Sequence, residues 1–350
     1  VPEAVRSRMS DVVSQLAAAA VLVVVFVALS FASPYFLTSN NLFNIGVQVS
    51  IVAIVAVGMT FVILTAGIDL SVGSVAGLSG VLGTMAIANA GLPIVVGIVV
   101  GVLVGAAVGL VNGLLITQMR LPPFIATLGM LGVARGLTFI VGGENAVYGL
   151  PKNFRLFGEG QIGPFPLPLL YLIVIAVAAY LILSRTKLGR YAYAIGSNEQ
   201  AARLSGIPIN RYKLAVYMIS AALAGFGGMI AASLVHSGQP NYGIGLELNA
   251  IAACVIGGAS LFGGVGTIGG TLIGAFLMTV ITNGAVLLNL TQYYQQVIIG
   301  VIIWLAVWWD QVRRRRLAAA TEQQHGRRTA NGDGKPGGED AQPGSSDAAA

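Results

Sequence analysis

Few side chains in this sequence could carry chemistry, and they stand apart from one another. Asp69 and Ser71 lie in "GIDLSVGS" (67–74), Arg135 in "TLGMLGVARGLT" (127–138), and Cys254 is the one cysteine; the only histidines are His236 and His325. Hydrolytic catalysis needs a nucleophile, a base and an orienting group, and neither a zinc-protease motif nor a nucleophile elbow occurs. One cysteine excludes an internal disulfide and any multi-cysteine metal site, so Cys254 reads as a small packing residue. His236 and His325 fall in polar segments and read as solvated. The glycine-rich "CVIGGASLFGGVGTIGG" (254–270) lacks the Gly-Lys-Ser/Thr of a phosphate-binding loop, and that tripeptide occurs nowhere in the chain. No catalytic residue, metal site or cofactor is therefore expected in this chain.

The elements that must position these residues are apolar. Of 350 residues, 56% are hydrophobic, 9% are charged and 47 are glycine. Apolar segments at about 16–33, 45–66, 72–90, 94–116, 121–142, 166–184, 214–235, 248–262, 268–288 and 296–309 approach the ~20 residues that cross a bilayer as a helix. The runs are continuous rather than alternating, which excludes an outer-membrane barrel. The sequence predicts an all-α integral membrane protein of about ten transmembrane helices, broken by glycine near Gly67–Gly73 and Gly257–Gly270. Arg6, Arg8 and the small-x-small Ser30-Phe31-Ala32 flank the first run as in a signal peptide, but its length and the early second run favour a retained helix.

The formal net charge of +6 reflects topology rather than nucleic-acid binding. With both termini in the cytoplasm, thirteen basic residues up to Arg316 fall inside and two, Lys152 and Arg155, outside. The expected outward segments are 33–41, 144–165, 236–245 and 289–294. Three regions follow: a cytoplasmic segment 1–15, a transmembrane domain 16–312, and a basic then disordered cytoplasmic tail 313–350.

Within this frame the polar residues acquire readings. Asp69 at the membrane edge either caps the following helix, with Ser71 as a neighbouring alternative, or serves function directly, since a buried carboxylate is costly. Arg135, near the middle of a span, must pair in the interior or line an aqueous path. Gly97, Gly101, Gly105, Gly109 and Gly113 recur every four residues and form a smooth helical stripe for close packing, with a lining of the transport path as the alternative. In "IGSNEQAARLSGIP" (195–208), Ser197 and Gln200 fit a capping box, Glu199 and Arg203 an i,i+4 ion pair, and Gly206 with Pro208 a stop. These predict a helix of about eight residues, too short to stand alone, lying on a surface through Ala201, Ala202, Leu204 and Ile207.

The chain from about Phe36 to Trp309 resembles the permease subunits of ATP-binding-cassette sugar importers of the ribose type. The resemblance rests on "NLFNI" (41–45), "AVGMTFVILTAGIDLSVGS" (56–74), "FIATLGML" (124–131), "LGRYAYAIGSNEQAARLSGIPIN" (188–210) and "ELNAIAACVIGGASLFGGVGTIGGTLIGA" (247–275), in order. It implies a multi-pass protein of a prokaryotic inner membrane that imports ribose or a related monosaccharide. Implied partners are a second permease copy, surrounding lipid, an extracytoplasmic sugar-binding protein, and a separate ATPase holding ATP and magnesium. It also implies that Ser197, Asn198, Glu199, Gln200, Ala201, Arg203, Leu204, Ser205 and Gly206 form the coupling helix that docks into the ATPase. The tail after Arg316 departs from the family pattern. An ion-coupled secondary sugar transporter is the alternative, which paired mid-membrane acids or histidines would favour; a membrane-embedded enzyme would need a catalytic set.

Overall fold

Apolar composition and the rarity of interior prolines leave the backbone one way to satisfy its hydrogen bonds in a bilayer, the helix. A computed structural model describes residues 3–143, 145–308 and 310–312. Its long helices are α1 (Glu3–Ala32), α2 (Ser39–Leu64), α3 (Val72–Ala88), α4 (Ile94–Thr117) and α5 (Pro123–Gly142). After α6 (Arg155–Glu159) and a hairpin of β1 (Gln161–Ile162) and β2 (Phe165–Pro166) come α7 (Leu167–Arg185), α8 (Lys187–Ser197), α9 (Glu199–Leu204), α10 (Ile209–Leu234), α11 (Leu246–Ile256) and α12 (Ile268–Leu287). A last candidate span, α13, covers Gln292–Val312.

Each of the ten apolar segments holds a helix, but eight helices are long and apolar enough to cross a membrane, among the described residues. The other two, α3 with 17 residues and α11 with 11, are short because each borders a glycine-rich break. Ends follow local chemistry. The Thr38 hydroxyl accepts the Asn41 N–H at the start of α2, Thr267 does the same for Gly270 at α12, and α5 ends on left-handed Gly143.

Residues up to Val307 make one compact unit; of the unit beginning at Trp308, residues 308 and 310–312 are described and are helical. In the first unit α10 packs on α2, α3 and α4, while α2 also meets α7, α11 and α12. The face-on burial of α2 contrasts with α1, whose apolar side chains such as Val24 and Phe31 remain exposed, as suits a lipid-facing helix. Polar ties specify the register of this interior. Asn41 and Asn283 exchange two side-chain hydrogen bonds at 2.9 and 3.1 Å, joining α2 to α12. Thr60 pairs with Thr271 at 2.7 Å, and Cys254 donates to the Ala56 carbonyl at 3.2 Å. Such interhelical bonds are worth about 0.6 kcal/mol on average in a membrane protein, so they select an arrangement more than they hold it. The region 313–350, with His325, lies outside the described residues.

Candidate functional site

The glycine stripe of α4 shows how closely these helices approach. A Cβ on Gly101 would lie 2.6 Å from the Met229 side chain, and one on Gly113 would lie 3.0 Å from Leu214 Cα. At Gly105 and Gly109 the obstacles are the Ala221 and Tyr217 carbonyl oxygens, and at Gly97 they are Ile87 and the Gly83 carbonyl. The five glycines thus set α4 against α10 and α3, and all are buried. Dispersion and backbone proximity, rather than hydrophobic transfer, drive such packing in lipid.

At one end of this bundle α2 stops and the chain turns through residues 65–71. Asp69 lies in that turn, fully buried. Its Oδ1 accepts the Ser71 N–H at 2.9 Å and the Ser71 hydroxyl at 2.6 Å. Ser71 is the N-cap residue of α3, yet its side chain makes no capping bond, so the expected side-chain cap is replaced by a two-residue turn closed by Asp69. Asn112 of α4, which belongs to no recognisable motif, donates to Ser71 Oγ at 2.9 Å. Its signal was a lone amide inside the glycine stripe. Thr127 of α5 and Tyr217 of α10 both direct hydroxyls at the Ile68 carbonyl, at 3.1 and 3.5 Å. Three helices therefore pin the turn.

The second break, residues 257–267, lies beside the first. Gly264 donates its N–H to the Leu64 carbonyl at 3.0 Å. Gly258, Gly263, Gly264 and Gly266 all have positive φ, a conformation that a side chain rarely tolerates. Onto both breaks folds α8. Gly196 presses its backbone on Leu64 and Gly264, a Cβ on Gly263 would lie 2.9 Å from Gly196 Cα, and Tyr193 donates to the Gly266 carbonyl at 2.7 Å. Gly189, Ala192 and Ile195 form the buried side of α8.

The segment 195–208 holds the last turn of α8 and, after a corner, the expected short helix as the six-residue α9. Ser197 closes α8, and Asn198, extended at φ −159°, is the N-cap of the six-residue α9. The Asn198 side chain accepts the Ala201 N–H at 3.0 Å, so the Ser197–Gln200 capping box does not form. An amide is as good a cap as a hydroxyl, and Ser197 is held in α8 by its packing on Gly264. The Glu199–Arg203 pair forms at 3.2 Å, and Lys213 of α10 adds a second contact to Glu199 at 2.7 Å. Gly206, at φ +77°, ends the turn. Of the four residues expected to rest on a surface, Ala202 is buried with Ile195 and Ile209, and Ile207 packs beside them. Ala201 and Leu204 instead face outward with Gln200, Arg203, Ser205 and Gly206. Leu204 is 90% exposed.

Away from this end, residues 235–245 run without helix along α3. A Cβ on Gly77 would lie 2.9 Å from the Tyr242 carbonyl oxygen, and Gly73 abuts Gly243 and Glu247. The expected outward loop 236–245 is thus largely packed against protein, because α3 offers it glycines. Arg135 supplies what its backbone lacks. One guanidinium nitrogen, Nη1, donates to the Pro240 and Tyr242 carbonyls at 2.7 Å each, and Glu247 is close enough to interact with it electrostatically. Irregular backbone at this depth is tolerated only where protein or an aqueous cavity satisfies it. Val147 and Gly238 exchange backbone hydrogen bonds, and His236, rather than being simply solvated, bonds through Nε2 to the Leu150 carbonyl at 3.0 Å.

Residues 41–307 match the family model described as "Branched-chain amino acid transport system / permease component". The chain is 45% identical over 288 residues to the ribose import permease protein RbsC of Bacillus subtilis (strain 168), covering 82% of this chain and 89% of that protein. It is 38% identical over 289 residues to the D-allose transport system permease protein AlsC of Escherichia coli (strain K12), covering 82% and 88%. It is 35% identical over 320 residues to the galactose/methyl galactoside import permease protein MglC of Haemophilus influenzae, covering 86% and 95%. No solved structure matches significantly.

Proposed function

The chain belongs to this family of permease components, and from that membership we propose that it is the membrane-spanning subunit of an ATP-driven importer carrying ribose or a related monosaccharide. A separate ATPase, binding ATP and magnesium, drives it from the cytoplasm. A sugar-binding protein delivers substrate from the other side, and a second copy of the permease completes the path within the lipid bilayer. Both termini face the cytoplasm, consistent with the distribution of basic residues.

The observation that carries this reading is the placement of α8 and α9. A six-residue helix has no independent stability, yet here it is fixed by a cap, by Lys213 and by the Ala202 contact, with Leu204, Gln200 and Arg203 exposed toward a partner. Its foundation, Gly196 and Ser197, rests on the end of α2 at Leu64 and on the 257–267 break. A push on α9 is thus delivered to the end of α2 and to the break between α11 and α12.

The test is reconstitution in proteoliposomes with the ATPase and the binding protein encoded with this chain. ATP-dependent uptake of D-ribose, or of D-allose or D-galactose in parallel, is expected. Uptake that proceeds without the ATPase and collapses with an uncoupler would establish the ion-coupled alternative instead.

A further inference from the structure

Although α2 is the most enclosed of the long helices, it carries three exposed amides near its start, Asn40, Asn44 and Gln48. Asn44 and Gln48, one turn apart, open onto a cavity of about 490 Å³. Glu159, at the end of α6, and Gln161, in β1, line the same space, with Phe43 and Leu234 as apolar wall. Among the described residues no hydrogen bond engages the side-chain amides of Asn44, Gln48 or Gln161. Glu159 receives Arg155 on Oε1 at 3.0 Å, which balances its charge and leaves its second oxygen available.

The chemistry of this lining is selective. An amide both donates and accepts, so three of them with one carboxylate oxygen match hydroxyl groups, which also do both. The carboxylate is already balanced by Arg155, so the site has no excess charge to attract an ion. An apolar occupant would strip the amides of water without replacing their bonds, at about 1–3 kcal/mol per group. Phe43 and Leu234 provide the apolar surface against which the C–H faces of a sugar ring can lie. The volume falls within the roughly 300–1,000 Å³ typical of small-molecule sites. A neighbouring cavity of about 680 Å³, lined by Leu22, Phe26, Leu42, Ile45 and Val280, is apolar and has none of this chemistry.

Position agrees with composition. Leu234 is the last residue of α10, whose first turns hold α9, and Asn44 and Gln48 lie near the opposite end of α2 from Leu64. The polar cavity is therefore at the far end of the bundle from the α8–α9 surface.

We propose that this cavity is an entry subsite for a small neutral polyol, in which Asn44, Gln48 and Gln161 with Glu159 hold the sugar's hydroxyls as it leaves the binding protein. The proposal rests on the importer reading above and adds the residues that meet the substrate. Loss of one such hydrogen bond corresponds to about a tenfold change in occupancy. In the complete importer, Asn44→Leu and Gln48→Leu are expected to lower D-ribose uptake at subsaturating sugar by about that factor, while assembly and ATP hydrolysis stimulated by the binding protein persist. Uptake by both variants at the wild-type rate would overturn the subsite. A second measurement uses Gln48→Cys: Cys254 is buried, so the new thiol is the accessible one for a membrane-impermeant reagent. Millimolar D-ribose should slow its labelling in the permease alone, and labelling indifferent to D-ribose, D-allose and D-galactose would refute the proposal. If the wild-type importer moves no sugar, the importer reading fails, and the labelling result still decides the cavity.

Discussion

Lys213, near the start of α10, reaches the Glu199 carboxylate at 2.7 Å and so ties the six-residue α9 to a long helix. Glu199 is then the centre of a three-residue cluster, because Arg203 contacts its other oxygen. Partial burial pushes the Glu199 carboxyl upward, but hydrogen bonds and charge from Lys213 and then Arg203 outweigh it and hold the group below its ordinary range. A depressed carboxyl contributes above its unfolded pKa, and that contribution is lost as pH falls through the lower folded value. Association with the ATPase should therefore be flat from neutral pH to about 5, as far as Glu199 is concerned.

Glu199→Arg places three cations together at this point. The pairs are largely exposed, and such pairs are worth about 0–1 kcal/mol, so folding should survive. The expected variant inserts normally but binds its ATPase poorly and loses the stimulation of ATP hydrolysis by sugar-loaded binding protein. Co-purification and ATPase assays check this. Wild-type association in a properly inserted variant would remove α9 from the contact surface.

Asp69→Asn retains an oxygen that can accept the Ser71 N–H and hydroxyl, whereas Asp69→Leu leaves both donors without it. Leaving a buried polar group unpaired costs about 1–3 kcal/mol. Thermal unfolding in detergent should show Asp69→Leu clearly destabilised and Asp69→Asn close to wild type, with substantial uptake. Equal loss of uptake in two well-folded variants would mean that the negative charge itself is needed.

Gly105→Leu drives a branched side chain into the Ala221 backbone, which cannot rotate away. Overpacking commonly costs about 1–3 kcal/mol, so reduced yield and a lower melting temperature are expected. Gly129→Ala is the control, since a Cβ there meets nothing within 4 Å. A Gly105→Leu permease of normal stability that fails only in uptake would place the stripe on the transport path.

Arg135→Ala strands the Pro240 and Tyr242 carbonyls and removes the charge beside Glu247. Residues 235–245 should then loosen, seen as faster proteolysis or hydrogen exchange there. Arg135→Lys should recover part of the protection, because an ammonium also has N–H bonds to give to both carbonyls but sits on a shorter stem. Unchanged exchange in Arg135→Ala would show that the segment is held by packing alone.

The sequence by itself determined the membrane class, the ten apolar segments, both glycine breaks and the periodicity of the α4 stripe. These are local properties: hydropathy, run length and spacing are written in consecutive residues. The Glu199–Arg203 pair was legible for the same reason, as an i,i+4 relation on one helix. What covers each polar group was not. Asn198 displaced Ser197 as the cap because Ser197 is packed on Gly264, a residue 67 positions away in the chain. Segment 236–245 reads as an outer loop from its proline and polar residues, and became a strap packed along α3 only because the glycines of α3 leave room for it and the guanidinium of Arg135 donates to its carbonyls. Asn44, Gln48, Glu159 and Gln161 share no motif. Their convergence on one cavity was decided by the packing of α2 against the end of α10 and the hairpin, since distance along the chain places no limit on which side chains a folded helix bundle brings together.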